Sequence, residues 1–283
     1  MKKKNAAFTA VFLGIFILAI KLLAYIVSNS IALLSDALES IVNIAASGLV
    51  LFSVHISEKP PDESHNYGHQ KIEDMSCLIE GVFILVAATL IIYSAGSRLF
   101  ERPELFQLNF AIGISMLATA LNGGLSWFLA REARKSGSAA LEGDSKHLLS
   151  DVASSVAVWI GLFIVQLTGW VMIDALLAIG VGFLIARMGT GLILKSSNQL
   201  LDRSCAEEAE KLKEVLARHK SQFIDYHKVK TRRHGNQVYA ELHLTVDGSL
   251  SVKEAHDLTD HLQDELKQEL PNMNLTIHVE PKK

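Results

Sequence analysis

The stretch Gly143-Asp144-Ser145-Lys146-His147-Leu148-Leu149-Ser150-Asp151 opens a hydrophobic run, yet it carries Asp144, His147 and Asp151. On a helix, offsets of three and then four put these side chains on one face. His147 and Asp151 stand one turn apart, which suits two ligands of one metal ion. A second stretch, Ser35-Asp36-Ala37-Leu38-Glu39-Ser40-Ile41-Val42-Asn43, repeats the spacing as Asp36, Glu39 and Asn43, again at the start of an apolar run. If the two polar faces meet, Glu39, Asn43, His147 and Asp151 supply four ligands inside a membrane.

The surrounding composition supports a membrane setting. Mean hydropathy is +0.27 and 49% of the 283 residues are hydrophobic, high for a soluble protein. Charge is sparse until about residue 200 and dense afterwards. This predicts an all-α six-helix transmembrane domain over residues 1–203 and a small soluble domain over residues 204–283. The apolar segments fall at roughly 8–28, 32–55, 76–98, 108–130, 147–167 and 170–194, each about the length a bilayer core asks of a helix. The basic start Met1-Lys2-Lys3-Lys4-Asn5 imitates a secretory signal. The run from Phe8 to Val27 is long enough to span, however, and no small-residue cleavage site follows it.

Lys2, Lys3, Lys4, Lys59, Lys71, Arg131, Arg134, Lys135 and Lys195 collect at one set of helix ends, and only the Arg98/Arg102 loop argues otherwise. The positive-inside rule then puts both termini in the cytosol of a multi-pass protein of the cell (plasma or inner) membrane. Lys21, near the outer end of the first span, is expected to snorkel. Ala45, Ala46, Ser47, Gly48, Gly180 and Gly182 read as points of close helix approach. A net charge of -3 gives no reason to expect nucleic acid. Cys77 and Cys205 lie far apart with no CxxC, which argues against a disulfide framework and a thiolate metal site.

The second loop reads Pro60-Pro61-Asp62-Glu63-Ser64-His65-Asn66-Tyr67-Gly68-His69-Gln70-Lys71-Ile72-Glu73. Asp62, His65 and His69 repeat the offsets of three and four, and a metal can bridge them, with Gly68 allowing the turn. The plainer alternative is a solvated polar loop.

Beyond residue 200 the pattern is helix (206–219), strand (225–233), strand (237–246), helix from Ser251 to about Leu270, and strand (274–280). His234-Gly235-Asn236 reads as a hairpin turn, and Ser251 with Glu254 as a capping box. The expected fold is a small α+β domain with its helices on one sheet face. His227, His243 and His278 fall one on each strand and His256 on the second helix, with Glu280 two residues beyond His278. Four histidines on distinct elements plus a carboxylate suggest metal binding. His219, His234 and His261 are additional.

Ionisable groups at mid-span cost at least ~2.5–3.5 kcal/mol each, so Asp36, Glu39, His147 and Asp151 need a partner or a wet cavity. A divalent cation would neutralise the carboxylates and satisfy the imidazole. Such ligands bind metal only when deprotonated, so metal and protons compete, and alternating exposure makes an exchanger. The bland alternative is a polar helix contact without an ion. A membrane metalloenzyme is disfavoured, since no His-Glu-x-x-His and no activated serine or cysteine constellation occurs. A membrane metal sensor that binds without translocating is the other alternative.

These residues together resemble the cation diffusion facilitator family of divalent metal/proton antiporters, over nearly the whole chain. His65-Asn66-Tyr67-Gly68-His69-Gln70-Lys71-Ile72-Glu73 resembles the family's second-loop motif, and His147-Leu148-Leu149-Ser150-Asp151 its fifth-helix His-x-x-x-Asp. The resemblance implies a transport site at Glu39, Asn43, His147 and Asp151. It implies a loop site at Asp62, His65 and His69, and a binuclear cytosolic site at His227, His243, His256, His278 and Glu280. It further implies a Lys71–Asp202 salt bridge, a homodimer, and a metallochaperone-like tail. One departure stands out: zinc carriers of this family usually offer His or Asp and then Asp on the second helix, where this chain has Glu39 and Asn43. Three oxygens and one imidazole form a harder donor set. Zn2+ remains the first expectation, with Mn2+, Fe2+, Co2+ and Cd2+ as alternatives.

Overall fold

A computed structural model describes residues 3–28, 31–98, 109–168 and 172–282. Some side chains within the helices, those of Asp36 and Glu39 among them, lie outside the described residues, as does the loop holding Arg102. The chain divides into two compact units, Met1–Ser197 and Asn198–Lys283.

Six long helices make the first unit: α1 (Lys3–Ser28), α2 (Ile31–Ser57), α3 (Lys71–Arg98), α4 (Asn109–Ser136), α5 (Ala139–Thr168) and α6 (Met172–Leu200). Several run past their apolar segments because their polar ends suit a helix terminus. Glu73 and Asp74 lie in the first turn of α3, and Arg134 and Lys135 in the last turn of α4, each with the sign the helix dipole favours. Among the described residues, Lys3–Leu23, Lys71–Ser97 and Ile179–Leu200 are long and apolar enough to cross a bilayer. Large apolar side chains stay exposed along these helices, including Phe8, Phe12 and Phe16 on α1 and Phe183 and Leu184 on α6. Such continuous apolar surface suits lipid, not water.

One buried cluster joins α1, α2, α4 and α5 through Ala6, Ala10, Val50, Val54, Leu125, Leu129 and Leu141. A second joins α3 to α6 through Cys77, Ile84, Ala88, Ile185 and Leu192. The α3 and α6 backbones come close at Gly81 and Gly189, where a Cβ on Gly189 would lie 2.9 Å from the Gly81 carbonyl oxygen. Of the small residues singled out in the sequence, Gly182 packs close to Ile92, while Gly48 and Gly180 have nothing within 4 Å of an added Cβ. Lys21 is only 4% exposed, so it sits inside the protein instead of reaching outward. At the helix ends, buried Glu73 accepts hydrogen bonds from Lys3, Ser57 and Ser138, tying α1, α2 and α3 to the residue that precedes α5.

The second unit contains α7 (Ala206–Arg218), β1 (Asp225–His234), β2 (Gln237–Val246), α8 (Val252–Glu269) and β3 (Met273–Pro281). This is the element order read from the sequence. The sheet order is β1-β2-β3, with β1 antiparallel and β3 parallel to β2. Gly235 turns the hairpin at φ 57°, and Ser251 with Glu254 forms the capping box that starts α8. Along β2, Val238, Ala240, Leu242, Leu244 and Val246 face the core with Leu212 and Leu216 of α7 and Leu262 and Leu266 of α8. Strand alternation therefore leaves His243 on the sheet face opposite the helices.

Candidate metal centres

In the helical unit, the two polar faces meet where α2 crosses α5. Asn43 Nδ2 donates to Asp151 Oδ2 at 2.8 Å, and His147 Nε2 lies 3.1 Å from Asn43 Oδ1. His147 is 4% exposed. One turn earlier on α5, fully buried Asp144 accepts from Ser47 Oγ of α2 at 3.0 Å. A carboxylate, an imidazole and an amide oxygen thus converge from two helices. Of the expected four ligands, the structure brings Asn43, His147 and Asp151 together, and the fourth, Glu39, lies outside the described side chains.

The second loop gathers its own trio. His65 Nδ1 lies 3.2 Å from Asp62 Oδ1 and His69 Nε2 3.3 Å from Asp62 Oδ2, with the two rings 4.3 Å apart. Asp62 Oδ1 also accepts from the backbone N–H groups of Ser64 (3.0 Å) and His65 (2.6 Å) and from Ser64 Oγ (2.8 Å). The Ser64 hydroxyl, then the His65 contacts, pull the Asp62 carboxyl down to about 2. Gly68, at φ 88°, lets the chain double back so that both imidazoles reach the same carboxylate. Buried His69 Nδ1 has no hydrogen-bond partner among the described residues.

In the second unit, strand register lines up three histidines: His227 pairs with His243, and His243 with His278. Neighbouring rings are 5.2 and 4.6 Å apart. Glu280 reaches His227 Nε2 at 3.2 Å and His243 Nδ1 at 3.3 Å. Donor atoms of His227, His243 and Glu280 all lie within 4.8 Å of one another. The His243 hydrogen bond, with the charge of His227 added, holds the Glu280 carboxyl below the usual carboxylate range. His256 is not part of this group: it lies exposed on α8, 3.4 Å from Asp260. Its helix covers the opposite sheet face from the histidine row. A further trio joins His219, just past the end of α7, to His261 and Glu265 of α8, where Arg218 also reaches Glu265 at 3.3 Å. Asp202 lies 3.7 Å from Arg232.

Comparison with known proteins decides the family. The cation efflux transmembrane domain matches residues 7–201, and the cation efflux protein cytoplasmic domain matches residues 206–282. The chain belongs to the cation diffusion facilitator family. It is thus a multi-pass membrane protein of a cation-efflux family. An uncharacterized transporter of Synechocystis sp. is 36% identical over 265 residues, covering 93% of this chain and 86% of the relative. The cation-efflux pump FieF of Shewanella oneidensis is 29% identical over 278 residues, covering 98% and 94%. The metal-bound C-terminal domain of the CzcD transporter from Thermotoga maritima is 34% identical, covers 27% of this chain and 88% of that structure, and has a TM-score of 0.26.

Within this facilitator the sequence reading passes over Glu80. It is a single acid in the middle of α3, with no repeated partner on its own helix to draw attention. Its signal was nevertheless present, because a carboxylate inside a spanning segment is costly without a function. The fold makes it fully buried, with Oε2 3.9 Å from His147 Nδ1.

Proposed function

We propose that this facilitator exports a divalent metal cation, Zn2+ first, from the cytosol in exchange for protons. The observation that carries the reading is the Asn43–Asp151–His147 cluster, closed across α2 and α5. Asp151 and Glu39 supply charge, His147 Nε2 a borderline-soft nitrogen, and Asn43 a neutral oxygen. With no metal bound, protons hold the same lone pairs. Opening to the cytosol favours metal uptake with proton release, and opening to the other side favours the reverse. Mn2+, Fe2+, Co2+ and Cd2+ are the competing cargoes for this oxygen-rich set.

In this reading both termini are cytosolic, the membrane is the cell membrane, and the domains meet near residue 203. The loop trio Asp62, His65 and His69 takes a second ion. The tail site of His227, His243, His278 and Glu280 binds structural metal in a homodimer. His256 reaches such a site only from a second copy, because its own helix packs on the other sheet face.

Inside-out vesicles with a trapped metal-sensitive dye test the proposal. Wild type should take up Zn2+ when a proton gradient is imposed, and His147→Ala and Asp151→Ala should not. Equal uptake by all three would overturn the site. Metal affinity with no flux would favour the sensor alternative.

A further inference from the structure

Glu80 is fully buried, and among the described residues neither of its carboxylate oxygens has a hydrogen-bond partner. A carboxyl group in that condition destabilises a fold, and an apolar side chain of similar volume would serve packing better. The surroundings nonetheless make room for it. A Cβ on Gly143, one turn before His147 on α5, would meet Glu80 Cγ at 3.0 Å. The carboxylate points at the imidazole edge opposite the ion site, with Oε2 3.9 Å from His147 Nδ1.

The other edge shows what this carboxylate does. Asn43 uses Nδ2 to donate to Asp151, which leaves Oδ1 facing His147 Nε2. An amide oxygen only accepts, so Nε2 must hold its hydrogen in this arrangement. A metal on Nε2 needs a lone pair there, so the ring hydrogen must sit on Nδ1. An N–H···O bond spans about 2.7–3.2 Å, so a small side-chain adjustment by Glu80 closes the gap to Nδ1.

We propose that Glu80 is the positioning residue of the membrane site: it accepts the Nδ1–H of His147, fixes the tautomer that presents Nε2 to the ion, and, with the cation in place, adds negative charge behind the imidazole. The proposal rests on the transport reading above. A carboxylate behind a metal-bound imidazole sets ring orientation and donor strength, and losing it costs roughly ten- to a hundredfold in metal affinity.

The test uses the full chain carrying His69→Ala, His243→Ala and His261→Ala, which leaves the membrane site as the main binder. Zn2+ flux in proteoliposomes, the Co2+ absorption spectrum and the thermal midpoint are compared for Glu80→Gln, Glu80→Leu and Asp151→Ala. Glutamine keeps an oxygen for Nδ1–H but loses the charge, and leucine loses both. The expected order of KM is wild type, then Glu80→Gln about tenfold higher, then Glu80→Leu up to about a hundredfold higher. Flux at saturating metal and the Co2+ spectrum of Glu80→Gln should match wild type, and Glu80→Leu should melt no lower than wild type. A KM for Glu80→Leu unchanged beside an inactive Asp151→Ala would overturn the proposal while keeping the site. An altered Co2+ spectrum in Glu80→Gln would make Glu80 a direct ligand and overturn the positioning role. An active Asp151→Ala would instead sink the transport site itself.

Discussion

Asn43 on α2 and Asp151 on α5, 108 positions apart, share a 2.8 Å hydrogen bond in which the amide donates to the carboxylate. The amide therefore does two jobs at once: it holds Asp151 with one end and offers an oxygen near His147 with the other.

That geometry predicts the behaviour of Asn43→Asp. Two carboxylates this close cannot both ionise without a cation, so they would share a proton until a metal arrives. Divalent-metal affinity near pH 8 should rise about tenfold, equivalent to ~1.4 kcal/mol. Binding should also release more protons and so depend more steeply on pH. Calorimetry in buffers of different ionisation enthalpy reads both quantities, and a flat proton count would refute the prediction.

His243 is the middle of the three-histidine row and touches Glu280. His243→Ala should abolish the metal-dependent stabilisation of the tail. That stabilisation is about 2.7 kcal/mol when free metal is a hundred times its Kd. Thermal unfolding with and without chelator checks it. In wild type the tail midpoint should fall on chelation, and in the variant it should not move, while vesicle flux persists.

Asp62 governs the acid response of the second loop. Its native carboxyl titrates near 2, below the ordinary 3.8. The interactions that favour its charged form are thus fully present above the ordinary value and fade as pH falls through about 2. Between pH 5 and pH 3 the Asp62 carboxylate therefore keeps most of its charge and its hydrogen bonds to Ser64 and His65. Amide exchange at Ser64 and His65 should stay slow across that window, and Asp62→Ala should speed it throughout.

Gly189 has no room for a side chain against Gly81, whereas Gly191, on the same helix, has nothing within 4 Å of an added Cβ. Gly189→Ala should push α3 from α6 and cost about 1–3 kcal/mol. Gly191→Ala should be neutral or stabilising by up to ~1 kcal/mol through helix propensity. Melting both in detergent, judged against wild type, tests the α3–α6 contact. A Gly189→Ala midpoint equal to wild type would show that the contact yields freely.

Much of this was readable from local patterns. Apolar length marked the spanning helices, and the Ser251/Glu254 box and Gly235 turn marked elements of the tail. His147 and Asp151 share a face because a helix repeats every 3.6 residues, a rule that needs no fold. Glu80 was not readable in that way, since nothing within α3 pairs with it. Lys21 was expected at the interface and is buried, because neighbouring helices enclose a position that hydropathy assigns only by depth.

By itself the sequence determined the elements and the polar face of each one, because helical and strand periodicity act over a few residues. It also placed one histidine on each tail strand. Only the tertiary structure decided that His227, His243 and His278 stand in one row, that His256 stands apart on α8, and that Asn43 meets Asp151 with Glu80 behind His147. Those relationships depend on strand register and helix packing, which join residues far apart in the chain and leave no mark in the spacing of either partner.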